Sequence, residues 1–404
     1  HSRFGKQAQG HFRLVFLVGL NAAAGESGGK NKMGNKEYKC DECGRVIYFN
    51  GICNECRRRH KREAYRSMTD AEAESKVAEI TAALGALDDK FYNTTEYDDF
   101  LGLLAYKGIS TASVAEAAAE AEVYYPHEIY RDAAPGVREK LIALVMQPDC
   151  KEANHILQCL AIAGGDDVLA AFVHLERNPL PWSKNLFVPP SVYAQAGGWT
   201  FDSEGRRAEL NFDRCYPVFP IAGGAAETDK AVTVATPRTD VCPQCGTKLM
   251  DILTLDGRDE RLAFLNLPGT MRIPACPQCA AMCERTLVRY SPDGAGTMEL
   301  MEPFGDESAM PESEYAEMTS GNFALAERPE NLFFARGSYE SIITVGGFAA
   351  WIQDFQYDAC PDCGKPMRYF ASVPWYALSD WAEGTLFLEI CLDCRVISAF
   401  HQQT

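Results

Sequence analysis

Twelve of the sixteen cysteines fall into six C-x-x-C pairs, a spacing that limits the possible folds more than any other feature of the chain. The pairs themselves group by twos: Cys40/Cys43 with Cys53/Cys56, Cys242/Cys245 with Cys276/Cys279, and Cys360/Cys363 with Cys391/Cys394. Two residues between thiolates allow a tight turn whose backbone N–H groups point at sulfur. One such knuckle supplies two of four tetrahedral ligands at about 2.3 Å, and a second knuckle closes the shell. Gly44, Gly246 and Gly364 each follow the second cysteine of a leading pair, where the chain needs a positive φ. The pattern is that of zinc ribbons and rubredoxin-like sites, and it predicts three zinc ions. A closed four-thiolate shell leaves no position for water, which makes such a site structural.

Three other uses of paired cysteines compete with zinc. Disulfides are the default in secreted chains, iron takes the same tetrahedral geometry, and a thioredoxin-like pair stands alone inside a βαβ unit. Six pairs that group by twos favour metal over disulfides or redox pairs. Of the remaining Cys150, Cys159, Cys215 and Cys283, the first two lie in a helical stretch and read as small buried hydrophobes. Cys283 is four residues beyond Cys279 but is not expected to join a shell that is already full.

A fold class of α+β follows from the pattern between the cysteines. Five segments are expected: a leader over 1–36, a four-cysteine zinc knuckle with the start of a basic helix over 37–66, a helical region over 67–176, a connector over 177–237, and a β-rich domain with two zinc ribbons over 238–404. Thr69-Asp70 caps an amphipathic helix carrying Val77, Ile80 and Leu84. Helices over Val137–Met146, Glu152–Ala163 and Asp167–Leu175 are separated by Gln147-Pro148-Asp149 and by Gly164-Gly165, a stop followed by Asp166 as a cap. Short apolar helices on short turns resemble HEAT-type repeats. The proline-rich stretch 177–237 breaks helices, and its aromatic residues include Trp182, Tyr193, Trp199 and Phe201. Cys242-Pro243-Gln244-Cys245-Gly246 parallels Cys360-Pro361-Asp362-Cys363-Gly364, and each closing knuckle leads into a β run, so a duplicated ribbon-bearing unit is expected.

At the C-terminal end the order Val345-Gly346-Gly347, Trp351-Ile352-Gln353-Asp354, Cys360-Pro361-Asp362-Cys363-Gly364-Lys365-Pro366-Met367, Trp381-Ala382-Glu383-Gly384, Cys391-Leu392-Asp393-Cys394 and His401-Gln402-Gln403 resembles the YwqG-like bacterial family of unknown function. Phe348-Ala349-Ala350 departs from it, where the resemblance leads one to expect a proline-bearing turn. The resemblance implies a β-rich domain of a cytoplasmic bacterial protein and brings no reaction or catalytic residues with it.

The net charge of −17 disfavours nucleic acid and anionic lipid as partners of the whole chain. The early apolar run Leu14–Leu20 is far short of the roughly 20 residues a membrane helix needs, so no membrane partner is expected. Free C-x-x-C pairs suit a reducing compartment, the cytoplasm. Native translation is expected to start at Met33, because Gly28-Gly29-Lys30 reads as a translated purine-rich leader. No P-loop, G-x-S-x-G, H-E-x-x-H or dinucleotide fingerprint occurs. Gly164-Gly165-Asp166-Asp167 has the letters of a cyclase signature but sits between helices.

The leading expectation is therefore a non-catalytic, zinc-stabilised protein-binding protein whose acidic surface neutralises a basic toxin, as immunity proteins do. A second class is a nucleic-acid-binding protein using Arg57, Arg58, Arg59, Lys61, Arg62 and Arg66, cations on a helix leaving the first knuckle. A third is an enzyme whose site is assembled from scattered residues such as Trp351, Asp354 and Glu383.

Overall fold

The computed structural model describes residues 38–42, 44, 46–47, 49–87, 94–221, 229–291, 293–304, 308–330, 342–379 and 381–403. The expected leader, with Met33, and Cys43 lie outside them. The chain divides into two compact units, one ending at Arg57 and one beginning at Arg58. The first holds a two-stranded antiparallel ladder of β1 (Tyr38–Lys39) and β2 (Val46–Ile47), and the boundary falls within α1 (Asn54–Ser67).

In the second unit the helices come first: α2 (Asp70–Leu87), α3 (Thr95–Gly102), α4 (Ala112–Glu120), α5 (Pro135–Val145), α6 (Ala153–Ala163), α7 (Asp166–Arg177) and α8 (Pro190–Tyr193). Their ends are set by local chemistry. Thr69 and Glu72 form a capping box: the Glu72 N–H donates to the Thr69 hydroxyl at 3.2 Å and the Thr69 N–H to the Glu72 carboxylate at 2.8 Å. Pro135 opens α5 at the position where its missing N–H costs nothing. Gly164 and Gly165, at φ 63° and 110°, end α6. The cap position of α7 is Gly165, and Asp166 and Asp167 instead occupy its first turn, where their charge meets the helix dipole.

The apolar faces converge on one core containing Phe100, Tyr130, Leu157 and Phe172. Aromatic residues of the proline-rich stretch belong to that core. Trp182, Tyr193 and Trp199 are buried in it, and the Trp199 indole N–H donates to Ala161 O on α6 at 2.9 Å. Phe348, from the departure noted in the C-terminal motif, also packs against this helical core.

The strands follow as β3 (Trp199–Phe201), β4 (Arg207–Glu209), β5 (Cys215–Pro220), β6 (Val232–Val241), β7 (Lys248–Asp256), β8 (Thr270–Ala275), β9 (Arg285–Tyr290) and β10 (Gly296–Met301). A helix α9 (Glu312–Met318) precedes β11 (Phe323–Leu325), β12 (Ile343–Gly346), β13 (Arg368–Pro374), β14 (Thr385–Cys391) and β15 (Val396–Gln402). Among the described residues one antiparallel sheet has eight strands in the order β10-β9-β15-β14-β13-β12-β5-β11, and another has three, β6-β7-β8. Alternation along β14 explains how the large sheet is covered. Leu386, Leu388 and Ile390 share a core with Met250, Leu253 and Leu255 of the three-stranded sheet. Phe387, on the opposite face, joins Trp351, Tyr369 and Phe400 in an aromatic cluster, with Trp351 and Phe387 ring centroids 4.7 Å apart. β14 is buried throughout because both of its faces are covered.

The order of elements around the second and third cysteine groups is the same. A leading knuckle precedes β7 in one and β13 in the other. A strand returns antiparallel, β8 or β14, and a closing knuckle leads into β9 or β15. The two closing strands lie side by side, with Ile397 opposite Val288.

Two glycines bound what the backbone tolerates. Gly346 has φ 80°, and an added Cβ would lie 2.2 Å from Arg214 O. Gly364, in the third group, has φ 71° but nothing within 4 Å of that position. Gly364→Ala should cost only the left-handed penalty of about 1–2 kcal/mol, and Gly346→Ala clearly more, as read from urea midpoints. Equal costs would refute the close contact at Gly346.

Candidate metal centres

Cys242, Cys245, Cys276 and Cys279 converge with all ligand sulfurs within 4.8 Å of one another, and so do Cys360, Cys363, Cys391 and Cys394. Cys40, Cys53 and Cys56 converge in the same way, while Cys43 lies outside the described residues. Sulfur separations test whether these groups suit a metal. Cys245 and Cys276 are 3.6 Å apart, and the pairs Cys242/Cys279, Cys363/Cys391 and Cys40/Cys56 are each 3.8 Å apart. A tetrahedron with bonds of about 2.3 Å has edges of about 3.8 Å, whereas a disulfide needs about 2.05 Å. The spacings fit four thiolates around one ion.

Each leading knuckle is built by the same hydrogen bonds. The N–H of Gly246 donates to Cys242 O and that of Gly364 to Cys360 O, both at 2.9 Å. The N–H of Cys242 reaches Thr247 O and that of Cys360 reaches Lys365 O, both at 2.8 Å. Gly44 donates to Cys40 O at 3.0 Å in the same manner. All three glycines take positive φ, 72°, 78° and 71°, as the spacing predicts. In the closing knuckle of the third group that conformation falls to Arg395, at φ 56°. Backbone N–H groups also point at sulfur: Cys53 N lies 3.2 Å from Cys40 Sγ and Cys279 N lies 3.3 Å from Cys276 Sγ.

Thiol acidities within each group diverge. Burial pushes Cys276 and Cys279 up. Against the same burial, hydrogen bonds from the Thr247 hydroxyl and backbone hold Cys245 below its usual value. The Lys365 backbone N–H lowers Cys363. Without a cation, four thiolates this close could not all be ionised.

Cys283 is buried but outside the second group, 3.7 Å from the Thr286 hydroxyl. Cys159 is buried in the helical core, its Sγ 3.2 Å from Tyr124 O.

Behind the third group lies a buried polar cluster that the cysteine spacing does not reveal. Asp358 and Glu389 each stand two residues before the first cysteine of a knuckle, and both are buried. The Asp358 N–H donates to Glu389 Oε2 at 2.7 Å, Arg285 pairs with the Asp358 carboxylate at 3.1 Å, and the Ser398 hydroxyl donates to Asp358. Burial, and then the neighbouring Asp358, push the Glu389 carboxyl well above the usual range, and its Oε1 has no hydrogen-bond partner. The legible signal was a single acid in the otherwise apolar run Leu386–Ile390.

The basic helix is largely engaged within its own unit. Arg62 is buried, with its guanidinium 4.8 Å over the Phe219 ring. Lys61 pairs with Asp98 at 3.4 Å, and Arg66 pairs with Glu63 and Glu330. In the first unit Arg57 stacks 5.9 Å over Phe49. Arg59 is exposed, and the side chain of Arg58 lies outside the described residues.

The scattered enzyme candidates differ in burial. Trp351 is core in the aromatic cluster, while Asp354 and Glu383 are exposed. Their backbone carbonyls accept from Gln402 Nε2 at 3.0 Å and contact His401 Nε2 at 3.2 Å. Asp167, of the cyclase-like letters, pairs with Arg138 at 2.9 Å. No helix among the described residues is long and apolar enough to cross a membrane.

The structure is thus a mixed helix and sheet protein with three convergent cysteine groups. No family model matches the chain, and no solved structure matches it. It is similar to the uncharacterized protein YpfL of Salmonella typhimurium, with 26% identity over 288 residues. The match covers 70% of this chain and 66% of the relative, slightly under two thirds of that protein's length. The likeness supports a bacterial relationship and assigns no activity.

Purified protein is expected to carry one zinc ion per complete four-sulfur group and to lose it as pH falls below neutrality, because protons compete for the thiolates. Zinc content by mass spectrometry across a pH series checks this; acid-resistant occupancy, or none, would oppose it. Because burial already disfavours the Glu389 carboxylate, Glu389→Gln should destabilise less than Asp358→Asn, which breaks the buried ion pair with Arg285. A urea titration of each variant decides.

Proposed function

We propose that the protein is a zinc-stabilised, non-catalytic binding protein of the bacterial cytoplasm whose partner is another protein. The observation that carries this reading is the closure of the second and third cysteine groups: four protein sulfurs at tetrahedral separations leave no open position for substrate or water. Sulfur separations of 3.6 and 3.8 Å, against about 2.05 Å for a disulfide, suit a reducing compartment. The shared order of knuckles and strands supports a duplicated ribbon unit, and the C-terminal motif supports kinship with the YwqG-like family. The short helices α5–α7, joined by short turns and sharing one core, support a HEAT-like helical surface.

A net charge of −17 favours a basic partner, and a basic bacterial toxin neutralised by this chain is the form of the proposal that uses all of these features. Nucleic-acid binding is the weaker reading, because Lys61, Arg62 and Arg66 already have acidic or aromatic partners within their own unit.

Affinity capture of the zinc-loaded protein from its source cell, with and without nuclease, separates these readings. A stoichiometric, basic protein that persists after nuclease is expected. Co-purifying nucleic acid, or partners lost on nuclease treatment, would overturn the proposal in favour of the helix after Cys56.

A further inference from the structure

The second and third cysteine groups share a sulfur geometry but differ in access. In the second, every sulfur is buried: Cys242, Cys245, Cys276 and Cys279 are at most 6% exposed. Leu249, Met298 and Leu300 pack over them. In the third, Cys360 and Cys391 are buried against Met367 and Val396, but Cys363 is exposed and Cys394 is half-buried. The two accessible sulfurs are the second cysteines of the two knuckles. One edge of this tetrahedron, Cys363 to Cys394, therefore faces solvent.

We propose that Cys363 and Cys394 are a modification site, a thiol pair that peroxide oxidises to a disulfide with release of the metal ion. The inference rests on the zinc reading above and adds a reaction to one of its three groups.

The geometry supplies what the reaction needs. The two sulfurs lie within 4.8 Å of each other, so modest side-chain movement closes them to the about 2.05 Å of a disulfide. Lys365 and Asp393, one from each knuckle, form an ion pair 2.7 Å long and 67% exposed on both partners. Such a pair holds little against movement.

In the first step the Cys363 thiolate attacks one peroxide oxygen. The O–O bond breaks, and the departing oxygen takes a solvent proton and leaves as water. In the second, the Cys394 thiolate attacks the sulfenic sulfur, the S–O bond breaks, and a second proton carries that oxygen away as water. Two thiolates lose two electrons and peroxide becomes two waters. With two of its four ligands gone, zinc leaves.

The product keeps the fold stapled. Cys363 sits on the knuckle before β13 and Cys394 on the turn between β14 and β15, so the new disulfide joins the same two segments that the metal joined. Oxidation thus exchanges one cross-link for another and leaves Cys360 and Cys391 as buried thiols.

The test uses the full, zinc-loaded chain. Zinc content is measured first. Hydrogen peroxide is then added, zinc release is followed with a chromogenic chelator, and timed samples are alkylated and mapped by mass spectrometry. The first equivalent of zinc should leave together with a Cys363–Cys394 disulfide. Loss of alkylation at those two should run about tenfold or more ahead of the four buried cysteines of the second group. A thiol reductant should restore both thiols and zinc. A chain without zinc before peroxide overturns the metal reading itself. A zinc-loaded chain whose first disulfide joins other cysteines, or whose Cys363 and Cys394 stay alkylatable while zinc leaves, overturns this inference alone.

Discussion

The repulsion among clustered thiolates is the constraint on which the β region depends. At separations of 3.6 to 3.8 Å, two unit charges oppose each other by about 4 kcal/mol even at an effective dielectric of about 20. A four-thiolate group contains six such pairs, so it holds together only around a cation. The consequence reaches well beyond the sulfurs. In the second group a bound cation would tie the β6–β7 turn to the end of β8, and in the third it would tie the approach to β13 to the β14–β15 turn. The strands so joined include the middle of the eight-stranded sheet and the whole of the three-stranded one. Bonds to a common centre would fix these local strand alignments, while the pairing of β9 with β15 rests on side-chain burial and the sheet ladder.

The sulfur geometry was legible because C-x-x-C is a local device. A turn of four residues sets which way two sulfurs point, and Gly44, Gly246 and Gly364 mark the backbone conformation that the turn requires. Helix ends were legible for the same reason, as the Thr69–Glu72 box and the Gly164-Gly165 stop show. Long-range features were not. Nothing local announces that Trp182 and Trp199, in a stretch broken by prolines, complete the helical core. Nor does anything local announce that Phe348 reaches from the C-terminal motif into it. The strand order, which places β9 beside β15, depends on contacts between residues more than a hundred positions apart. The acid pair Asp358 and Glu389 was hidden because an isolated carboxylate in an apolar strand is read as facing solvent until the opposite strand face is known to be covered.

Charge tells a parallel story. A run of cations after Cys56 in an acidic chain can be read outward, toward phosphate, or inward, toward the acidic body. The positions from Lys61 onward turn inward: Arg62 loses its water against Phe219, and Arg66 spans Glu63 and Glu330. A guanidinium buried at 6% exposure carries a desolvation cost that a solvated nucleic-acid contact would not repay. From Lys61 onward the helix therefore works as a strut for the second unit.

Graded access gives the cysteine groups different chemistry from one geometry. Thiolates around zinc are unreactive when apolar side chains exclude both water and oxidant, and Leu249, Met298 and Leu300 pack against the second group in that way. In the third group the corresponding cover protects only the inner edge, under Met367 and Val396. Near it Glu389, whose carboxylate burial disfavours, and the Asp358–Arg285 pair form a buried polar cluster with one carboxyl oxygen unpartnered. The inner half of the site is thus anchored by the sheet, and the outer half would be held by a bound ion. Losing the ion would loosen the outer knuckle residues before it disturbed β13 or β14, whose side chains are held from both faces.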